Sequence, residues 1–445
     1  MIDKISVASL ASDMGIGGVA REIVTINKNL NKEFFNHFVI SMGPRDDVRS
    51  KYIDEDKIFF ISNPKEISQI LEENKINVLY AHRHGRNEAI YDAIAKEISD
   101  NVALLEMNTF SVLDKGFFGQ RCEKHVFVSR TNLLKYCVQN NINFDFKKLK
   151  TVFGLVDCNR WLENVPTETE VKEYKEKLGL EGNFVVGRAA RPVMGKWDDE
   201  MLVMWKRLSK MNNKIKFLIY GVPEERKQLL MAAGKAENLI MLEPTSSDKE
   251  LRLFYSAIDV FAHDSRLGEC ACATIAEAML FKKPVVVKST PFPRFTLGRS
   301  HTNDNGQIEQ IKNGENGYVV VGGVAMAEAI NYLYNHQEEA IQMGEKNNRE
   351  VLDKYNAKIG IKTFEKIFID SVLDKKIDVA SNIFAYYNSN NFFPDEHSTR
   401  DWFKEYYRRL EDIFGKEYSS SVSEKCLLYY LKYKRKFETL LKKVL

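Results

Sequence analysis

Short apolar runs alternate with helix-spaced amphipathic segments along most of this chain. That alternation restricts it to parallel sheets joined by right-handed crossovers. In the first half the strand-like runs cover residues 5–10, 38–41, 58–61, 77–81, 102–108 and 125–129. In the second they cover residues 183–187, 215–221, 239–242, 257–262, 284–287 and 318–321. Between the first two, Val19, Ala20, Ile23, Val24, Ile26 and Leu30 line one face of a helix. The expected architecture is two similar α/β units facing a cleft, with no internal sequence repeat.

In open α/β sheets ligands bind beyond the carboxyl ends of the strands, so the loops there are the first place to look for chemistry. Residues 264–268 leave such an end and run into Glu269-Cys-Ala-Cys-Ala-Thr-Ile-Ala-Glu277, two carboxylates separated by seven residues. A helix starting near Ala273 or Thr274 aims free N–H groups and a positive dipole end at a phosphate, while Glu277 lies farther along as an acceptor for hydroxyls. Upstream, the loop from Arg188 to Lys196 holds Arg188, Arg191 and Lys196, two planar guanidinium forks and a compact ammonium that suit phosphate oxygens. After the first strand, Gly15, Gly17 and Gly18 permit positive φ and close approach of backbone to a ligand. The spacing is not GxGxxG, so a dinucleotide site is poorly supported. His82, Arg83, His84 and Arg86 follow the strand at 77–81, either as an anion or acceptor site or as a solvated basic loop.

The order Ser265, Glu269, Glu277-Ala-Met279, residues 284–287, Ser289-Thr-Pro291, Asn305-Gly-Gln307, Glu309 and Asn313-Gly-Glu-Asn-Gly317 resembles the donor half of retaining GT-B glycosyltransferases of family 4. The resemblance implies two Rossmann-like domains facing a cleft, here residues 1–160 on the acceptor side and 161–375 on the nucleotide-sugar side, with a helical aromatic and basic extension over 376–445. It also implies that Glu269 contacts the transferred sugar and Glu277 the ribose. Arg191 with Lys196, and Arg188 in reserve, would bind the donor diphosphate together with Gly17, Gly18, Ala273 and Thr274. Asn108 stands where the family commonly has a histidine that touches the sugar; His82, His84 and Arg86 lie on the acceptor side. Ala271-Cys272 replaces the usual Phe-Gly pair, and Gly154-Leu155 the usual Asn-Gly. The implied activity is transfer from a nucleotide-sugar to a hydroxyl of a glycan, lipid-linked or protein-linked acceptor, by front-face substitution and without a cofactor or metal. The alternatives are a non-catalytic nucleotide-sugar or glycan-binding scaffold and a nucleotide-sugar epimerase.

A chain of 445 residues, 44% hydrophobic, has room for two or three domains, and a formal charge of +3 gives no reason to expect nucleic acid. Six cysteines without paired CxxC spacing read as reduced thiols and make zinc unexpected. No run approaches eighteen apolar residues, and charge enters the first apolar run, so neither a membrane span nor a signal peptide is expected and the expected location is cytoplasmic. From Glu424 to Leu445, seven Lys or Arg accompany two Glu and a leucine face. This helix suits peripheral contact with an anionic membrane, or packing on the body or a second subunit as a homo-oligomer.

Overall fold

The computed structural model describes residues 1–15, 17–289, 304–389 and 396–414. Seven parallel strands form the first sheet: β1 (Ile5–Ala11), β2 (Phe35–Ser41), β3 (Ile58–Phe60), β4 (Val78–Arg83), β5 (Ala103–Asn108), β6 (Lys124–Phe127) and β7 (Leu149–Thr151), in the order β3-β2-β1-β4-β5-β6-β7. The second contains β8 (Phe184–Ala189), β9 (Ile215–Tyr220), β10 (Leu239–Leu242), β11 (Val260–His263), β13 (Val285–Lys288) and β15 (Gly317–Val320), ordered β10-β9-β8-β11-β13-β15. A separate two-residue pair joins β12 (Gly268–Glu269) to β14 (Asp304–Asn305). Central strands such as β1, β5 and β8 are buried along their whole length, which is why apolar residues dominate them.

Both sheets reverse strand order at corresponding places, between β1 and β4 and between β8 and β11. Each therefore opens a crevice at its carboxyl edge. Helix Gly18–Asn29 follows β1, and helix Ala273–Leu280 follows β12. At the back, helix Ala357–Asp374, capped by Asn356, returns to the first sheet and sets Phe364 and Phe368 edge-on to Tyr80 at 5.6 and 5.8 Å. Helix Ser381–Ser389 continues there, with Tyr386 4.7 Å from Phe34.

Helix Glu396–Phe414 touches both halves. Phe403 packs 4.5 Å from Phe144, and the Trp402 ring lies between Arg130 at 4.9 Å and Arg409 at 4.7 Å. Arg409 also donates to the backbone of Ile308 at 2.8 Å. The aromatic face expected around Trp402, Phe403, Tyr406 and Leu410 thus covers the junction of helix Arg130–Asn140 with Gln307–Gln310. The basic segment 424–445, Thr290-Pro291 and the 391–394 stretch lie outside the described residues. No described helix is long and apolar enough to cross a membrane.

Candidate active site

The crevice of the second sheet gathers the paired glutamates and the cationic loop. Gly268, at φ +72°, is the turn that makes this possible: a Cβ there would stand 2.0 Å from the Asp304 carbonyl oxygen, so only glycine lets β12 pair with β14. Glu269 follows it, nearly fully buried, and its two oxygens face two cations. Lys196 donates to Oε2 at 2.7 Å and His263 Nε2 to Oε1 at 2.9 Å. Burial opposes the charged carboxylate, but Lys196 and His263 outweigh it and hold the Glu269 carboxyl down at about 2. Burial likewise opposes the imidazolium, and the Cys272 sulfur at 3.6 Å together with Glu269 more than offsets it, taking His263 up to about 9.

Lys196 owes its position to Arg188. That side chain is fully buried, donates to the Lys196 carbonyl, pairs with Asp264 at 3.4 Å and lies 4.8 Å over the Trp197 ring. It props the loop from inside. Arg191 is exposed on the same loop and makes no side-chain hydrogen bond or ion pair among the described residues.

Helix Ala273–Leu280 begins where the sequence places it, at Ala273, with Thr274 in its first turn and no side-chain cap on its amides. Glu277, a turn farther on, is almost wholly buried. It accepts from Tyr255 Oη at 2.8 Å and from Arg21 of helix Gly18–Asn29, so the carboxylate expected to face a ribose is where the two domains meet. Of the glycine loop, Gly17 is extended at φ −167° and none of Gly15, Gly17 and Gly18 adopts positive φ, contrary to the conformational reason given for them above. A Cβ on Gly17 or Gly18 would meet nothing within 4 Å, so the fold itself does not require glycine at either position.

The first sheet's crevice is arranged differently. Asn108 is fully buried, donates to Val112 O at 2.7 Å and Glu106 at 3.1 Å, and accepts from Val112 N at 3.1 Å, so its amide is committed to the fold. Gly85, at φ +78°, leaves room for it, since a Cβ would come 2.5 Å from the Asn108 amide. His82 is buried against Ser9 at 3.3 Å and lowered by burial to about 3, hence neutral. His84 and Arg86 are exposed at the crevice mouth, with His84 stacked 5.0 Å from Phe110. Among the described residues Asn108 and His82 make their hydrogen bonds within the first domain and not with Glu269, Lys196 or Glu277.

His263, Tyr255 and Arg21 escaped the sequence reading. His263 had one available signal, as the polar residue that ends a buried apolar strand. The partners of Tyr255 and Arg21 depend on contacts 22 and 256 residues away along the chain. His263, Glu269 and Cys272 place one ligand atom each within 4.8 Å of one another, a set able to face a soft cation, although Lys196 already holds the second Glu269 oxygen. Glu106, Cys122 and His125 form a comparable trio inside the first domain.

Residues 170–350 match the family model described as glycosyl transferases group 1. CapM of Staphylococcus aureus, a capsular polysaccharide biosynthesis glycosyltransferase, is 24% identical over 225 residues, 49% of this chain and 54% of its own length. The chain thus spans about half the length of that curated relative. Among solved structures, a glycosyltransferase from Rickettsia africae superposes with a TM-score of 0.66 at 17% identity, covering 83% of this chain and 99% of the other. HepE of Anabaena in complex with UDP-glucose superposes at 0.64 and 14% identity, covering 83% and 100%. Residues 170–350 are thus similar to the glycosyl transferases of group 1, and the chain has the two-domain GT-B fold of these solved glycosyltransferases.

Proposed function

We propose that this protein is a nucleotide-sugar-dependent glycosyltransferase that moves a sugar to a hydroxyl of a glycan or lipid-linked acceptor with retention of configuration. The observation that carries the reading is Glu269, charged and held between Lys196 and His263 beside the uncapped amides of helix Ala273–Leu280. Such a helix end receives a diphosphate, and Glu269 is oriented to accept from sugar hydroxyls. Glu277 then takes the ribose hydroxyls one turn away.

Charge develops on the departing diphosphate, so groups already fixed around it lower the barrier without reorganising. Lys196, the helix amides and exposed Arg191 supply positive potential there. No side chain is placed as a covalent nucleophile in this reading. The acceptor hydroxyl enters on the face the nucleotide leaves, and the leaving phosphate takes its proton. HepE holds UDP-glucose and CapM serves polysaccharide biosynthesis, which makes a UDP-sugar and a polysaccharide-type acceptor the first pair to try. Action inside the cytoplasm, without a metal, completes the proposal.

The test is a thermal-shift screen against UDP-, GDP-, ADP- and CMP-sugars, followed by release of free nucleotide on adding acceptors. Turnover should persist in EDTA. Binding of a nucleotide-sugar without turnover on any acceptor would make the protein a binding module. Interconversion of the donor sugar without transfer would make it an epimerase. Binding of none would remove the reading.

A further inference from the structure

Arg49 lies in the loop after β2 and is only 4% exposed, yet its side chain makes no hydrogen bond, ion pair or ring contact among the described residues. A buried guanidinium without a partner costs free energy that folding does not recover. The loop is nonetheless fixed where it is. Arg49 N donates to Met14 O at 3.0 Å, and Asp47 accepts from Met14 N at 2.8 Å, which ties this loop to the glycine loop at the carboxyl edge of β1.

The charges nearby do not balance. Burial lowers the Arg49 pKa, and the positive charges of Arg21 and Arg160 lower it further against smaller opposing effects of Tyr52 and Asp248, so Arg49 sits within Coulombic reach of two more cations. Arg21 is spent on Glu277, and Arg160 forms a forked pair with Asp248 at 2.6 and 2.5 Å. Three cations meet two carboxylates, and Arg49 is left over. Arg21 itself uses one donor on Glu277, while its buried Nε has no partner. Both arginines come from the first domain: Arg21 reaches Glu277 of the second, and Arg49 lies within Coulombic reach of Arg21 and of Asp248 in the second.

We propose that Arg49, together with Arg21, is the first domain's half of the nucleotide site and receives phosphate oxygens of the bound nucleoside diphosphate. The inference rests on the glycosyltransferase reading above and extends it, because it makes the diphosphate site complete only when both domains contribute. A guanidinium fork suits phosphate geometry, and a diphosphate supplies the negative charge the cluster lacks.

Arg49→Met tests this, since it keeps bulk and removes charge. Isothermal titration is run on the full chain with uridine, UMP, UDP and inorganic pyrophosphate, or the same series of whichever base the screen selects. Thermal melting of the ligand-free protein is measured alongside. The expected result has opposite signs: UDP affinity falls at least tenfold, UMP less and uridine not at all, while the ligand-free melting temperature holds or rises. A merely structural arginine would lower the melting temperature and leave the series uridine to UDP unaltered, which overturns the proposal. So does wild-type UDP affinity in the variant. Loss of pyrophosphate binding with UDP unaffected would assign the site to a free anion and overturn the nucleotide assignment. If the wild-type chain binds no member of any series, it is the glycosyltransferase reading that fails first.

Discussion

At the carboxyl ends of β8 and β11, partly exposed Lys196 holds buried Glu269, which lies beside helix amides that no side chain caps. At the ends of β4 and β5 the charges are turned inward. Arg83 is fully buried, paired with Asp114 at 2.8 Å and Glu106 at 3.6 Å, and sandwiched against Tyr91 and Phe118 at 4.7 and 4.3 Å. Glu106 in turn accepts from His125 at 2.6 Å and Asn108 at 3.1 Å. Two crevices on the same strand order thus use charge for different ends: one, in the function proposed above, to meet a ligand, and one to fix its own loops. The lesson is that a charged residue at a strand's carboxyl end is a site only if its partners leave it accessible.

The sharpest way to break that contrast is to remove one charge from each crevice. Arg83→Met leaves Asp114 buried without its counter-ion and Glu106 with His125 alone, and breaking such a pair costs about 3–5 kcal/mol. Urea denaturation should show that loss, while the folded fraction keeps its nucleotide affinity. Equal loss of affinity would mean that the first crevice also serves the ligand directly. Lys196→Ala should do the reverse. Turnover should fall by about a hundredfold, the usual cost of one electrostatic donor at a developing charge, with a circular-dichroism spectrum like that of the parent. Turnover near that of the parent would remove the diphosphate role assigned to Lys196.

The strands and the paired glutamates were readable because both are local. A strand buried on both faces is a run of apolar residues, and the helix behind Glu269 begins at Ala273 as its neighbours indicate. What was hidden depends on distant contacts. Nothing near Arg188 says that it faces inward to Asp264 while Arg191 stays outside. Arg49 looks like any surface arginine until the loop bearing it is tied to Met14. Composition points to the glycine loop, but its φ values show that glycine is not there for a left-handed turn.

The accessible crevice should also respond to pH. His263 is raised from 6.5 to about 9, so the folded state holds that proton more tightly; its stabilisation is full below 6.5 and lost as pH rises through 9. Glu269 is lowered from 4.5 to about 2, so its contribution is full above 4.5 and lost as pH falls through 2. Between those limits both are present. Donor affinity and melting temperature should therefore fall together from neutral pH to above pH 9, and His263→Gln should flatten that limb. An unchanged alkaline limb in His263→Gln would show that another group controls it.

The smallest effect should come from Gly17→Ala. Gly17 is extended, a conformation open to any residue, and an added Cβ meets nothing within 4 Å in the ligand-free protein. Stability should stay within about 0.5 kcal/mol of the parent, as for an unstrained surface change. If the open space beside Gly17 is where the diphosphate approaches the first domain, the added methyl intrudes only when donor is bound. Donor KM should then rise severalfold while the melting temperature holds. Saturation kinetics and a melting curve on the same preparation decide the matter. An unchanged KM would place the diphosphate nearer the second domain's helix and leave Arg21 and Arg49 to reach it alone. A lowered melting temperature would show instead that the loop is under a constraint its φ values do not reveal.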